Sequence, residues 1–127
     1  MINFEDNKPI FIQIAETIED GILSMAFKEE EKLPSVAEFS TTYKINPATA
    51  NKGINILVDK EIIYKQRGIG MFVSKGARKM LIQIRQEKFY ETFIDELVSE
   101  AKKIDISEKE LINMISKRID ESNKNKK

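Results

Sequence analysis

A short polar segment, Asn46–Lys52, carries side chains whose types and spacing suit the recognition of a nucleic acid. An asparagine such as Asn51 can pair with adenine in the major groove. Thr49 can contact a phosphate or a thymine methyl group, and Lys52 can contact a phosphate or guanine. Asn46 is in addition expected to cap a helix that starts at Pro47. The alternative for Asn51 and Lys52 is that both are ordinary surface residues.

A second candidate group lies at Arg67-Gly68-Ile69-Gly70, between two short segments that favour β-structure. Arg67 could enter a minor groove or contact a phosphate. Gly68 and Gly70 permit positive φ at a hairpin tip and let the backbone approach another surface closely. The alternatives are an arginine in solvent and glycines that serve only the turn.

The net charge of zero hides an uneven distribution of charges. Residues 1–43 contain three lysines against nine acids, whereas residues 44–75 contain six basic residues against two acids. The positive charge therefore lies on the segments where a phosphate backbone would pass. A solvated lysine face would give the same pattern.

The composition argues against several other classes of protein. The 127 residues include no cysteine and no histidine, which leaves no disulfide or thiolate site and removes the commonest general base. We therefore expect no metal, no cofactor and no enzymatic activity. No apolar run approaches the roughly 20 residues that cross a bilayer, and no signal peptide is visible, so a cytoplasmic protein is expected.

Mostly helical elements with one small hairpin are predicted to position these residues. The apolar periodicities, two capping boxes and the proline positions predict the following segments. They are a helix from Pro9 to about Met25, a charged linker over Ala26–Leu33, a helix from Ser35 to Tyr43, a helix over Pro47–Asp59 and strands at Ile62–Lys65 and Met71–Val73. A long helix over Ala77–Lys103, with a bend or a change of packing partner near Arg85–Lys88, and a last helix that opens at Ser107 and frays after Asp120 follow them. This order is a helix-turn-helix followed by a β-wing and then by two helices.

Several of these marks, in this order, resemble the winged-helix domain of the GntR family of bacterial transcription regulators. The matching residues are Pro9-Ile10, Gln13-Ile14, Leu33-Pro34-Ser35-Val36, Glu38, Asn46-Pro47, Thr49, Arg67-Gly68-Ile69-Gly70 and Phe72-Val73. The short C-terminal region resembles that of the YtrA-type subfamily. The resemblance implies a dimeric, sequence-specific DNA-binding regulator. We expect a repressor that binds a pseudo-palindromic operator.

The resemblance also implies which residues bind DNA. The predicted set is Ser35, Lys44, Asn46, Ala48, Thr49, Asn51, Lys52, Arg67, Gly68 and Gly70. Ala37 departs from the pattern, because the family commonly has an arginine there that grips phosphate or base. Together with the acidic first helix, this departure favours an alternative, a winged-helix protein-interaction module with weak or lost DNA binding.

The C-terminal helices are predicted to form a dimer interface, because a helix with an apolar face must bury it. The predicted interface residues are Leu81, Ile84, Tyr90, Phe93, Ile94, Leu97, Leu111 and Ile115. A pocket for a ligand is the alternative for Tyr90 and Phe93, and no pattern identifies a small-molecule effector. We thus predict a DNA-binding domain over residues 1–76 and a dimerisation region over residues 77–127.

Overall fold

A computed structural model describes residues 7–125 of the chain. The elements in chain order are α1 (Ile10–Leu23), β1 (Lys32–Leu33), α2 (Val36–Tyr43), α3 (Pro47–Asp59), β2 (Ile63–Gln66), β3 (Gly70–Val73), α4 (Ala77–Phe89), a π-helical segment (Tyr90–Ile94), α5 (Asp95–Lys103) and α6 (Glu108–Asn125). The predicted order of helix, helix-turn-helix, wing and C-terminal helices is confirmed.

Helix α1 supplies one side of the core. Ile14, Ile18 and Ile22 recur every four residues, and each is at most 2% exposed. This stripe packs against α3, whose Ile54 and Leu57 are completely buried. Burial of this apolar surface is the main favourable contribution to the folding of the unit.

The small sheet contains a strand that the sequence analysis assigned to a linker. The strand order is β1-β3-β2, and both pairings are antiparallel. In β1, Lys32 pairs with Phe72 and Leu33 with Met71. Two residues are too few to show an alternating pattern, so only the pairing with β3 defines this strand.

A long-range contact fixes the start of α4. The Glu29 carboxylate accepts hydrogen bonds from the backbone N–H groups of Gly76, at 2.9 Å, and Arg78, at 3.2 Å. The Arg78 side chain donates in turn to the carbonyl of Leu23, at the end of α1. The first turn of α4 is thereby joined to the connection between α1 and β1.

Two details of the C-terminal helices differ from the predictions. The predicted long helix is interrupted at Tyr90–Ile94 by a π-helical turn, just after residues 85–88, where a bend or a change of packing partner is predicted. The last helix continues to Asn125, so the prediction that it frays after Asp120 is wrong over residues 121–125. Residues 126–127 lie outside the described part.

The chain divides into two compact units, Met1–Ile84 and Arg85–Lys127. The first contains the helix-turn-helix and the wing, and the second contains α5 and α6. The predicted functional boundary between residues 76 and 77 stays a prediction. Among residues 7–125, no helix is both long enough and apolar enough to span a bilayer.

Candidate nucleic-acid interface

The start of α3 is built by a cap that the sequence specifies locally. Asn46 is extended, and its Oδ1 accepts a hydrogen bond of 2.7 Å from the backbone N–H of Ala48. Pro47 occupies the first helical position, where it has no N–H to leave unsatisfied. The expected capping role of Asn46 is confirmed, and its amide NH₂ remains as a donor group.

Helix α3 has a clear division between its faces. Ala50, Gly53, Ile54 and Leu57 are buried against the core. The predicted contact residues lie on the other side of the helix, where Ala48 and Lys52 are exposed and Thr49 and Asn51 are half-buried. The polar residues of α3 therefore lie on the surface of the unit.

Lys52 has a partner within the protein. Its ammonium nitrogen lies 4.1 Å from the centre of the Phe11 ring, on α1. Such a cation–π contact at an exposed site contributes about 0.5–1 kcal/mol. The charge of Lys52 is thereby held on the side of α3 that faces α1, and it stays exposed.

Sequence analysis missed a further polar contact on α3. Lys65, in β2, donates hydrogen bonds to Oδ1 of Asn55 at 3.1 Å and to Oδ1 of Asn51 at 3.5 Å. The four-residue spacing of the two asparagines places them on one side of α3, and this spacing was the sequence feature that could have indicated a shared partner. A lysine from a strand ten residues further along could not be assigned to them without the fold.

The start of α2 and the turn before α3 carry Ser35 and Lys44. Ser35 and Glu38 form the predicted capping box, with reciprocal bonds of 3.1 and 2.9 Å. The hydrogen bonds from the Ser35 backbone N–H and hydroxyl, and then the charge of Lys32, lower the pKa of Glu38. Lys44 adopts the left-handed conformation, with φ 54°, at the end of α2, and its side chain is exposed.

The wing, which is the hairpin of β2 and β3, has an open tip. Arg67 and Gly68 are exposed, and a Cβ atom added at Gly68 would have no neighbour within 4 Å. Gly70 differs, because a Cβ there would lie 2.6 Å from Cε of Lys32. Gly70 thus provides space for the Lys32 chain, whereas Gly68, with φ 78°, provides the turn and a free backbone surface.

The predicted dimer-interface residues fall into two groups. Leu81 is 2% exposed and packs in the core of the first unit, so the expectation that it lies at the dimer interface is corrected. Ile84 is half-buried in the same unit. The others lie in the second unit, where Ile94 and Leu111 are half-buried and Tyr90, Phe93, Leu97 and Ile115 are exposed.

Acidic side chains are the metal ligands that this sequence offers, since it has neither histidine nor cysteine. Residues 7–125 contain no group of three or more acidic side chains that could hold a metal ion. The arrangement of α3 and the wing instead offers hydrogen-bond donors and positive charge on an exposed surface, which is what a phosphate backbone and base edges require.

Comparison with known proteins identifies relatives of this unit. Residues 12–73 match the sequence profile described as bacterial regulatory proteins, gntR family. A solved structure, a GntR family transcriptional regulator from Listeria monocytogenes, is 30% identical, with a TM-score of 0.71 over 90% of this chain and 98% of that one.

Two proteins of Bacillus subtilis are also similar. The HTH-type transcriptional regulator YhcF is 26% identical over 88% of this chain and 91% of its own. The HTH-type transcriptional repressor YtrA is 33% identical over 65% of this chain, and the match covers 63% of YtrA.

Proposed function

The chain belongs to the GntR family of bacterial regulatory proteins and has a winged helix-turn-helix DNA-binding domain, and we propose that it is a dimeric repressor of a pseudo-palindromic operator. In this proposal α3 is the recognition helix and enters a major groove. The wing lies along the DNA backbone beside that groove, and Arg67 contacts a phosphate or enters the minor groove. The protein acts in the cytoplasm, where it binds DNA.

The observation that carries this proposal is the polar surface of α3. The cap and the buried face hold α3 in place, and the hydrogen bonds from Lys65 hold the side chains of Asn51 and Asn55 on this rigid helix. A site built on a rigid element reads base edges more accurately than one on a loop, because little freedom is lost on binding. The surplus of basic residues over 44–75 supplies the attraction for phosphates.

A second copy of the chain is the proposed partner of the C-terminal unit. Within α6 no residue is buried, and the unit exposes Phe89, Tyr90, Phe93, Leu97, Ile112, Met114, Ile115 and Ile119. An open groove of about 780 Å³ beside Leu97 and Ile115 is mainly apolar. Exposed apolar surface of this extent marks an interaction site, and two-fold pairing would present two α3 helices to successive major grooves.

The test is a binding titration against the DNA upstream of the protein's own gene, by fluorescence anisotropy at several salt concentrations. If each subunit neutralises about 3–4 phosphates, the slope of log affinity against log salt is about −6 for the dimer. A scrambled duplex of the same length is the control. Equal affinity for both duplexes, or a slope near zero, would refute a sequence-specific DNA-binding regulator.

A protein-interaction module is the second candidate, and Ala37 favours it. This residue is exposed at the start of α2 and provides neither charge nor hydrogen-bonding side chain. The double substitution Lys52→Ala and Arg67→Ala separates the two candidates. A repressor would lose two charge-assisted contacts to DNA, and its operator affinity should fall by about tenfold or more. A protein-interaction module would keep its affinity for its partner.

A further inference from the structure

Lys65 lies in β2, the first strand of the wing, beside α3, and the function proposed so far gives it no role in the choice of base. Its side chain is exposed, and it reaches from β2 to Asn55 and Asn51, which are one helical turn apart and half-buried. One ammonium group thus contacts two amides of the surface that is proposed to read DNA. The contact exists in the protein without DNA, so it can set the orientation of both amides before binding.

The chemistry of the ammonium decides that orientation. Lysine has three N–H donors and no acceptor, so only an amide oxygen can face it. In Asn55 and Asn51 the oxygen therefore faces Lys65, and the NH₂ group points away from it. Each amide oxygen has a second lone pair that could accept another hydrogen bond. The adjacent positive charge of Lys65 repels the hydrogen of any further donor, so a second donor at this oxygen is unfavourable.

The three side chains together form a surface that offers donors and positive charge. In the major groove guanine presents two acceptors, N7 and O6, whereas adenine presents one acceptor and one donor. Free asparagine suits adenine, because it pairs its oxygen with the donor and its NH₂ with the acceptor. An asparagine whose oxygen is engaged by Lys65 suits guanine instead.

We infer that Lys65 is a specificity-determining residue that turns Asn55 and Asn51 into donors and so directs this part of α3 to guanine. The inference rests on the proposed function, since it assumes that α3 enters the major groove. Lys65 acts through the asparagines and is thus a positioning residue. A lysine that only contacted phosphate would instead raise the affinity for every sequence alike.

The first experiment selects binding sites from a randomised DNA pool with the wild-type protein, with Lys65→Met and with Asn55→Ala. We expect a guanine that the wild type prefers over adenine by about fivefold or more. The preference at that position should fall to about twofold or less in both variants. Lys60→Met is the matched control, since it removes one lysine of the same unit that has no hydrogen bond to either asparagine among the described residues.

The outcomes separate this inference from the proposed function. If Lys65→Met lowers the affinity for all sequences equally and reduces the salt slope by about 1, Lys65 is a phosphate contact and the inference is wrong. If the wild type selects no sequence at all, the proposed function fails, and this inference fails with it.

A second experiment needs no DNA. The side-chain NH₂ resonances of Asn55 and Asn51 are followed by NMR in the wild type, Lys65→Met and Lys60→Met. The structure predicts shifts of both amides in Lys65→Met only, with an unchanged circular dichroism spectrum. Unchanged amide resonances in Lys65→Met would show that Lys65 does not hold the two asparagine side chains, and the inference would be wrong.

Discussion

Gly53 lies where the backbone of α1 comes close to α3. A Cβ atom there would lie 2.5 Å from the carbonyl oxygen of Phe11, which is backbone, and 3.1 Å from Cβ of Ile14. A glycine at this position therefore lets the two helices pack closely. Because Phe11 also lies under Lys52, any shift of α1 at this point would move a charge of the proposed DNA-binding surface.

We therefore expect Gly53→Ala to destabilise the protein, although alanine is the better helix former by about 1 kcal/mol. Overpacking against a backbone oxygen costs about 1–3 kcal/mol, and the net effect is a lower thermal midpoint in a circular dichroism melt. Gly21→Ala is the comparison, because its Cβ would lie 2.5 Å from the ring of Phe27, a side chain and not backbone, and it should lower the midpoint less than Gly53→Ala does. A Gly53→Ala protein as stable as the wild type would contradict this account of the packing.

Residue roles that depend on near neighbours could be predicted, and those that depend on the fold could not. The caps at Asn46 and Ser35 involve residues two or three positions away, so the sequence specifies both partners. Lys65 and its asparagines are ten and fourteen positions apart. The prediction that Leu81 lies at a dimer interface failed for a related reason, since periodicity shows that a residue is apolar but not what covers it.

At the scale of elements, the N-terminus of α4 depends on Glu29, which is far away in sequence. Hydrogen bonds from the backbone N–H groups of Gly76 and then Arg78, and the charges of Lys75 and Arg78, lower the pKa of Glu29 below its ordinary value of 4.5. We expect Glu29→Gln to lower the thermal midpoint at pH 7 by a few degrees, as for the loss of one helix cap. Glu31→Gln is the control, because the neighbouring Glu31 side chain has no hydrogen bond among the described residues.

The pH dependence of this effect has a definite sign. The ionised Glu29 stabilises the fold at pH values above the ordinary pKa of 4.5, and this contribution is lost as the pH falls through the lower pKa of the folded protein. The difference in stability between wild type and Glu29→Gln should thus shrink as the pH falls below about 4.5 in urea unfolding series. A difference that stays constant down to pH 3 would show that Glu29 acts by packing and not by its charge.

The elements themselves were predictable where their signals are local and long. Helices α2 and α3 agree with their predicted ends because caps and prolines mark them. Strand β1 was missed because Lys32 and Leu33 become a strand only by pairing with β3. The end of α6 was missed because its last turns are polar, and polarity alone was taken as a sign of fraying.

At the scale of the whole molecule, the proposed dimer ties the C-terminal unit to DNA affinity. Phe93 is 59% exposed, and its ring contacts Phe89 at 5.3 Å between centroids within the aromatic part of this unit. A carboxylate at position 93 would have to be buried without a partner in an apolar interface, at a cost of several kcal/mol. Because the side chain is exposed in the single chain, the same change should leave the fold of the protomer intact.

We therefore expect Phe93→Glu to convert the dimer to a monomer in sedimentation equilibrium, with an unchanged circular dichroism spectrum. A monomer contacts one half-site, so the salt slope should fall from about −6 to about −3, and operator affinity should fall by more than a hundredfold, the usual gain from two linked sites. Ser99→Glu, which adds the same charge at an exposed polar position of α5, should change neither quantity. A Phe93→Glu protein that stays dimeric would place the two-fold contact elsewhere. A wild-type protein that is monomeric would remove the reason for a pseudo-palindromic operator, because one recognition helix reads one half-site.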